Sequence, residues 1–153
     1  MRHLTNFVLS LAGICLVWAA APVPAAAQNP PPHGLLCNHE VNPRGVTSLH
    51  PLLSWESPSA RVRAYQILVA SSEEKLNAGE ADLWDSGKVW IDPDTRLPTS
   101  LPKSVPYQGK PLSSFQHCYW KVQVWSVYDD SFLFSKPASW QMGLLSFDDR
   151  DAR

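Results

Sequence analysis

The sequence predicts an all-β protein built as a two-sheet sandwich, on three observations. Fourteen prolines in 153 residues leave little room for long helices. Short segments alternate apolar and polar residues with a period of two, so that each strand has one face to bury and one to expose. Turn-forming residues separate these segments at intervals of about 8–12 residues or somewhat more, the spacing of a sandwich.

The sandwich is not expected to begin at Met1. Arg2 and His3 precede an apolar run from Phe7 to Ala21, and "APVPAAAQ" follows it. A basic start, a short apolar core and an A-x-A site describe a secretory signal peptide, here residues 1–27 with cleavage after Ala27. An apolar run of about 15 residues is short for a membrane span of roughly 20. Ile14, not a small residue, precedes Cys15, which argues against lipidation. Residues 28–33, "QNPPPH", read as a linker, because three successive prolines favour an extended polyproline segment and cannot join a sheet interior. The sandwich is expected over 34–146, with a tail at 147–153.

Each strand follows from its pattern. "GLLCNHEV" (34–41) puts Leu35 and Cys37 on one face, and "LLSWES" (52–57) does the same for Leu53 and Trp55 before Pro58 closes it. In "RVRAYQILVAS" (61–71), Arg63, Tyr65, Ile67 and Val69 oppose Ala64, Gln66 and Ala70. "SSEEKLNAGEAD" is the one helix-compatible piece, a turn or two capped by Ser71 or Ser72 and ended by Gly79. "LWDSGKVW" (83–90) reads as a short strand bent at Ser86-Gly87. The proline-rich "IDPDTRLPTSLPKSVPY" crosses next, with an irregular edge strand in its second half. A long strand over 117–128, a turn at "DDS" and a last strand "SWQMGLL" (139–145) complete the domain.

The long strand, "HCYWKVQVWSVYDD", carries four aromatic rings and divides cleanly by face. Cys118, Trp120, Val122 and Val124 form a uniformly apolar set and belong to the core. With Trp55, Tyr65, Ile67 and Val69 they make up the predicted interior, centred on Trp120 and Trp55. Tyr119 and Trp125 face outward among Lys121 and Gln123. Together with Trp84 and Trp90 they are the candidates for a surface that packs on another domain or stacks on a sugar ring.

Charge and composition narrow the function. The formal charge is −1, with no basic stripe, so nucleic acid and anionic membrane surfaces are poor partners. Once the signal peptide is removed, nothing remains that would insert in a membrane. A mature chain of about 126 residues buries about two-thirds of its unfolded surface and needs neither metal nor disulfide to fold. Cys37 and Cys118 then remain, either bridged or as small buried apolar residues.

The sequence contains no G-x-S-x-G, no glycine-rich phosphate loop, no C-x-x-C and no H-E-x-x-H. His33, His39, His50 and His117 lack metal-ligand spacing. The acid pairs Glu73-Glu74, Asp92/Asp94, Asp129-Asp130 and Asp148-Asp149 lie in turns, a helix start or the tail, where such residues commonly serve as turn formers and solvated charge. No catalytic, cofactor-binding or metal-binding residue is assigned, and no cofactor is expected.

Six blocks occur in order: "VNPRGVTSLHPLLSWES", "AYQILVASS", "DLWDSGKV", "VPYQGKPLSS", "CYWKVQVW" and "PASWQMGLL". Together, from about Leu35 to Ser146, they resemble the N-terminal fibronectin type III-like (immunoglobulin-like) sandwich of bacterial α-L-rhamnosidases, glycoside hydrolase family 78. The resemblance implies seven strands in two sheets. It places the first strand and "CYWKVQVW" in opposite sheets with no bridge between them, and so implies free thiols at Cys37 and Cys118.

It also implies that catalysis belongs to a barrel domain with no counterpart here, so none of that family's catalytic residues can be carried over. The expectation is therefore a non-enzymatic, secreted or periplasmic module. It reads as a severed N-terminal fragment whose partners are downstream rhamnosidase domains, with a free-standing carbohydrate-binding module as the alternative. The departures are a more proline-rich "RLPTSLPKSVPY" and a "SVYDDSFLFS" tip without the usual aspartate-glycine turn.

Overall fold

A computed structural model describes residues 30–59, 61–92, 102–126 and 133–145. The expected signal peptide (1–27), Asp94, Tyr128, the expected "DDS" turn and the 147–153 tail lie outside the described residues. The chain runs β1 (His33–Cys37), β2 (Arg44–Val46), β3 (Leu52–Glu56), β4 (Val62–Ala70), α1 (Glu73–Asn77), β5 (Trp84–Asp85), β6 (Val89–Trp90), β7 (Val105–Pro106), β8 (His117–Ser126) and β9 (Ala138–Met142).

Two sheets face each other. One has the order β1-β3-β7; the other has β2-β9-β8-β4-β5, with β6 also paired to β4. This is the predicted sandwich, although the described residues hold nine strand segments where seven strands were expected. The difference has two sources. β5 and β6 are one edge strand interrupted at Ser86, whose Oγ accepts the Ile67 N–H at 2.8 Å in place of a ladder carbonyl. β2 adds a short parallel pairing to β9.

The sheet centre is the β4–β8 ladder, which sets Tyr65 opposite Val124, Ile67 opposite Val122 and Val69 opposite Trp120. Ile67, Val69, Trp120, Val122 and Val124 are fully buried, and Tyr65 is nearly so. The expected inward set of β4 needs one correction. A register shift between Val62 and Ala64 turns Val62 into the core where strict alternation would have placed Arg63.

The core centre is also corrected. Trp120 is wholly buried, and so are Trp140 and Tyr107, whose rings meet edge-on at 5.9 Å. Trp55 lies at the margin, half-buried against Tyr65 with ring centres 5.3 Å apart. It sits on β3, the middle strand of the smaller sheet.

Pro32, expected in a free linker, is fully buried, and β1 already begins at His33. Cys37 on β1 and Cys118 on β8 lie in opposite sheets, share the core and carry free thiols. Burial pushes each up to about 12.

The outer face of the larger sheet has a small core of its own. Leu68 and Ala70 are covered by Leu76 of α1. The Ser72 side chain caps α1 by accepting the Lys75 N–H, and Gly79 follows the helix at φ +80°. The helix is tied down at two points. Lys121 Nζ donates to the Leu76 carbonyl at 2.8 Å and lies 4.8 Å from the centre of the Phe134 ring. At the other end, Asp82 accepts from Lys75 Nζ (2.7 Å), Ser71 Oγ (2.7 Å) and Ser71 N (2.8 Å). Burial alone would raise the Asp82 carboxyl, but the Lys75 and Ser71 hydrogen bonds overcome it and hold the group down at about 2.

Candidate functional site

The four aromatic residues singled out for a binding surface do not form one. Strand register decides this. Trp90 and Trp125 are both partners of Ala64, on either side of it, so the three lie in one row across the outer face. Lys88 closes over that row, its Nζ 4.8 Å from the Trp90 ring centre and 4.6 Å from that of Trp125. Tyr119 shares the face but lies six residues from Trp125, about 20 Å along the strand. There it packs against the Leu68–Leu76 cluster. Trp84 pairs with Val69 and therefore faces the other way, toward the main core, where it meets Tyr107 edge-on at 5.4 Å.

Two concavities lie at opposite open edges of the sandwich. The larger, about 460 Å³, is mainly apolar and includes Pro31, Pro32, Leu35, Val41 and Pro137 where β1 approaches the start of β9. Val41 is 71% exposed beside it. The smaller, about 290 Å³, opens between the β5–β6 edge and β7. Its wall includes Tyr65 and Trp84, with Ser104 and Gln108 opposite and Asp85 at the rim. Tyr65 is 9% exposed, and its hydroxyl hydrogen-bonds no group among the described residues. Burial raises its pKa, so the hydroxyl keeps its proton at neutral pH.

Four of the described acidic residues have local structural tasks. Glu73 and Glu74 sit in the first turn of α1, Asp82 is held by Lys75 and Ser71, and Asp85 Oδ1 accepts from the Gln66 amide and the Gly87 N–H, both at 2.8 Å. Among the described residues no group of His, Cys, Asp and Glu is arranged to hold a metal ion.

Sequence reasoning did not find the smaller cleft. Alternation places Tyr65 in the core and says nothing of where its hydroxyl end emerges. Ser104 and Gln108 flank a two-residue strand in the proline-rich crossing, where no periodicity marks which residues will face β5.

Comparison with known proteins agrees with the fold. Residues 32–146 match the family described as Rha78A-like, N-terminal immunoglobulin domain. The chain is similar to an α-L-rhamnosidase of Formosa agariphila, 39% identical over 115 residues, which covers 72% of this chain and 11% of that protein. An α-L-rhamnosidase of Streptomyces avermitilis is 39% identical over 107 residues, covering 67% and 9%.

Among solved structures, the α-L-rhamnosidase from Dictyoglumus thermophilum superposes with a TM-score of 0.68 at 30% identity, over 81% of this chain and 14% of that one. The Streptomyces avermitilis α-L-rhamnosidase complexed with L-rhamnose gives 0.65 at 32% identity, over 78% and 11%. The chain thus spans only 11% and 9% of the lengths of these two curated relatives.

Proposed function

Because this chain belongs to the Rha78A-like N-terminal immunoglobulin domains, we propose that it is a secreted or periplasmic, non-catalytic module of an α-L-rhamnosidase-like glycoside hydrolase. Its task is to pack against the other domains of such an enzyme. The observation that carries this reading is the coincidence of the family match, residues 32–146, with the single β-sandwich. The local structural tasks of Glu73, Glu74, Asp82 and Asp85 are consistent with it. A glycosidase needs two carboxylates facing one bond, about 5–10 Å apart.

The packing surface is better sought at the β1–β9 edge than on the outer face of β8. Tyr119 is engaged by the α1 cluster and Trp125 by Lys88, whereas exposed Val41 and Pro137, with Pro31 beside them, offer an uncovered apolar edge. Export rests on the 1–27 leader. The test is to recover the chain from the periplasm or medium of an expressing bacterium. Its mass should begin at Gln28, and it should leave an aryl α-L-rhamnoside intact. Turnover that co-purifies with the chain would overturn the non-catalytic reading, and an intact leader on a cytoplasmic chain would overturn export.

A further inference from the structure

We propose that the cleft between the β5–β6 edge and β7 binds one neutral sugar ring, with Trp84 as the stacking wall and the Tyr65 hydroxyl as the anchoring hydrogen-bond group.

Three observations carry the proposal. First, the cleft is lined by two aromatic side chains of unlike role. Trp84 is fixed edge-on against Tyr107 and is only half-buried, so part of its indole remains at the cleft surface. An aromatic surface suits the C–H face of a sugar, and an indole positioned by core packing loses little freedom on binding.

Second, the Tyr65 ring is buried, while its hydroxyl reaches the surface at the cleft and meets no hydrogen-bonding group among the described residues. A tyrosine with an apolar body and a solvent-facing hydroxyl can exchange water for a ligand hydroxyl. Its ring is held against Trp55 at 5.3 Å, which fixes where the hydroxyl lies.

Third, Ser104 and Gln108 border the same cleft and likewise have no hydrogen-bond partner among the described residues. The cleft residues include no lysine or arginine, which disfavours phosphate, sulfate or carboxylate ligands. Asp85 is not counted as a ligand group, because its carboxylate accepts from Gln66 on the outer face. A volume of about 290 Å³ has room for a single ring and not for an extended chain. Convergent neutral donors and acceptors over an apolar wall match a polyhydroxylated, uncharged ligand.

This goes beyond the packing role and does not depend on it; a silent cleft would leave the non-catalytic module reading where it stands. The test is a titration of the purified full chain with L-rhamnose, D-glucose and D-galactose in turn, followed by amide chemical shifts and tryptophan fluorescence. Saturable, millimolar binding of at least one sugar is expected, with shifts confined to Tyr65, Trp84 and the 104–108 segment. Tyr65→Phe is the decisive variant, because the lost hydroxyl has no protein partner and the fold should be untouched. It should weaken binding about 5-fold, the scale of one hydrogen bond. The proposal is overturned if no sugar saturates, if shifts map instead to Trp90 and Trp125, or if Tyr65→Phe binds as tightly as the parent.

Discussion

Gly109 is the position where the structure makes its sharpest demand on the sequence. A Cβ placed there would lie 2.4 Å from the Leu83 carbonyl oxygen, 2.5 Å from Trp84 Cβ and 2.5 Å from the Tyr107 hydroxyl. None of these neighbours is a flexible side-chain tip. Relief requires the 108–110 loop to lift from β5, which breaks the Lys110 N–H to Leu83 carbonyl bond at 2.9 Å. It also separates the Tyr107 hydroxyl from the Lys110 carbonyl it donates to at 2.8 Å.

Each lost bond costs about 1 kcal/mol, and disturbing the packing of buried Tyr107 adds about 1–3 kcal/mol. Gly109→Ala should therefore destabilise by about 3–5 kcal/mol, lowering the melting temperature by roughly 12–20 °C for a domain of this size. Urea unfolding followed by tryptophan fluorescence measures it. Gly79→Ala is the control. It has open space around the new Cβ but a φ of +80°, so it should cost only about 1 kcal/mol, through backbone strain alone. If Gly109→Ala unfolds within about 1 kcal/mol of the parent, the close approach of the loop to β5 is refuted.

Two further outcomes are expected. Trp120→Ala should cost about 3–5 kcal/mol and Trp55→Ala clearly less. Trp120→Phe should cost much less than Trp120→Ala, because the buried Trp120 indole N–H has no partner among the described residues. Parallel denaturation curves rank the three, and a Trp55→Ala loss equal to that of Trp120→Ala would contradict the assigned core centre. The second outcome concerns acid. The Asp82 carboxyl is lowered from an ordinary 3.8 to about 2, so its contribution is present above about pH 4 and is lost as pH falls through about 2. A shift of that size is at most about 2 kcal/mol, and solvent contact reduces it to about 1 kcal/mol. Asp82→Asn should remove that slope from the stability–pH profile; an unchanged slope between pH 4 and 2 would place the acid sensitivity elsewhere.

Much of the architecture was legible because a strand in a sandwich writes its two faces into the chain as alternation. β8 is the clearest case, with Cys118, Trp120, Val122 and Val124 all at zero exposure. The helix was legible for a different reason, since Ser72 at its start and Gly79 at its end are local backbone signals. The candidate binding surface was not legible. Alternation says which face of its own strand a side chain takes, not which neighbour sits beside it. Trp84 and Trp90 belong to one interrupted edge strand, and the break at Ser86 lets them end on opposite faces of the sheet. Val62 was missed on the same grounds, since one extra residue in β4 shifts the inward set without any mark in composition.

The amino-acid sequence by itself determined the all-β class, the order of the strands and the inward half of β8, because these depend on period, propensity and turn chemistry along the chain. It also carried the six ordered blocks whose resemblance to the rhamnosidase N-terminal sandwich the family match bears out. Tertiary structure alone decided that Trp140 and Tyr107 are fully buried while Trp55 is only partly so, and that Lys88 covers the Trp90–Trp125 row. It alone brought β7 within reach of β5, so that Tyr65 and Trp84 share a cleft with Ser104 and Gln108. These are contacts between segments distant in the chain, set by register and by how the two sheets close on each other, and no local pattern encodes either.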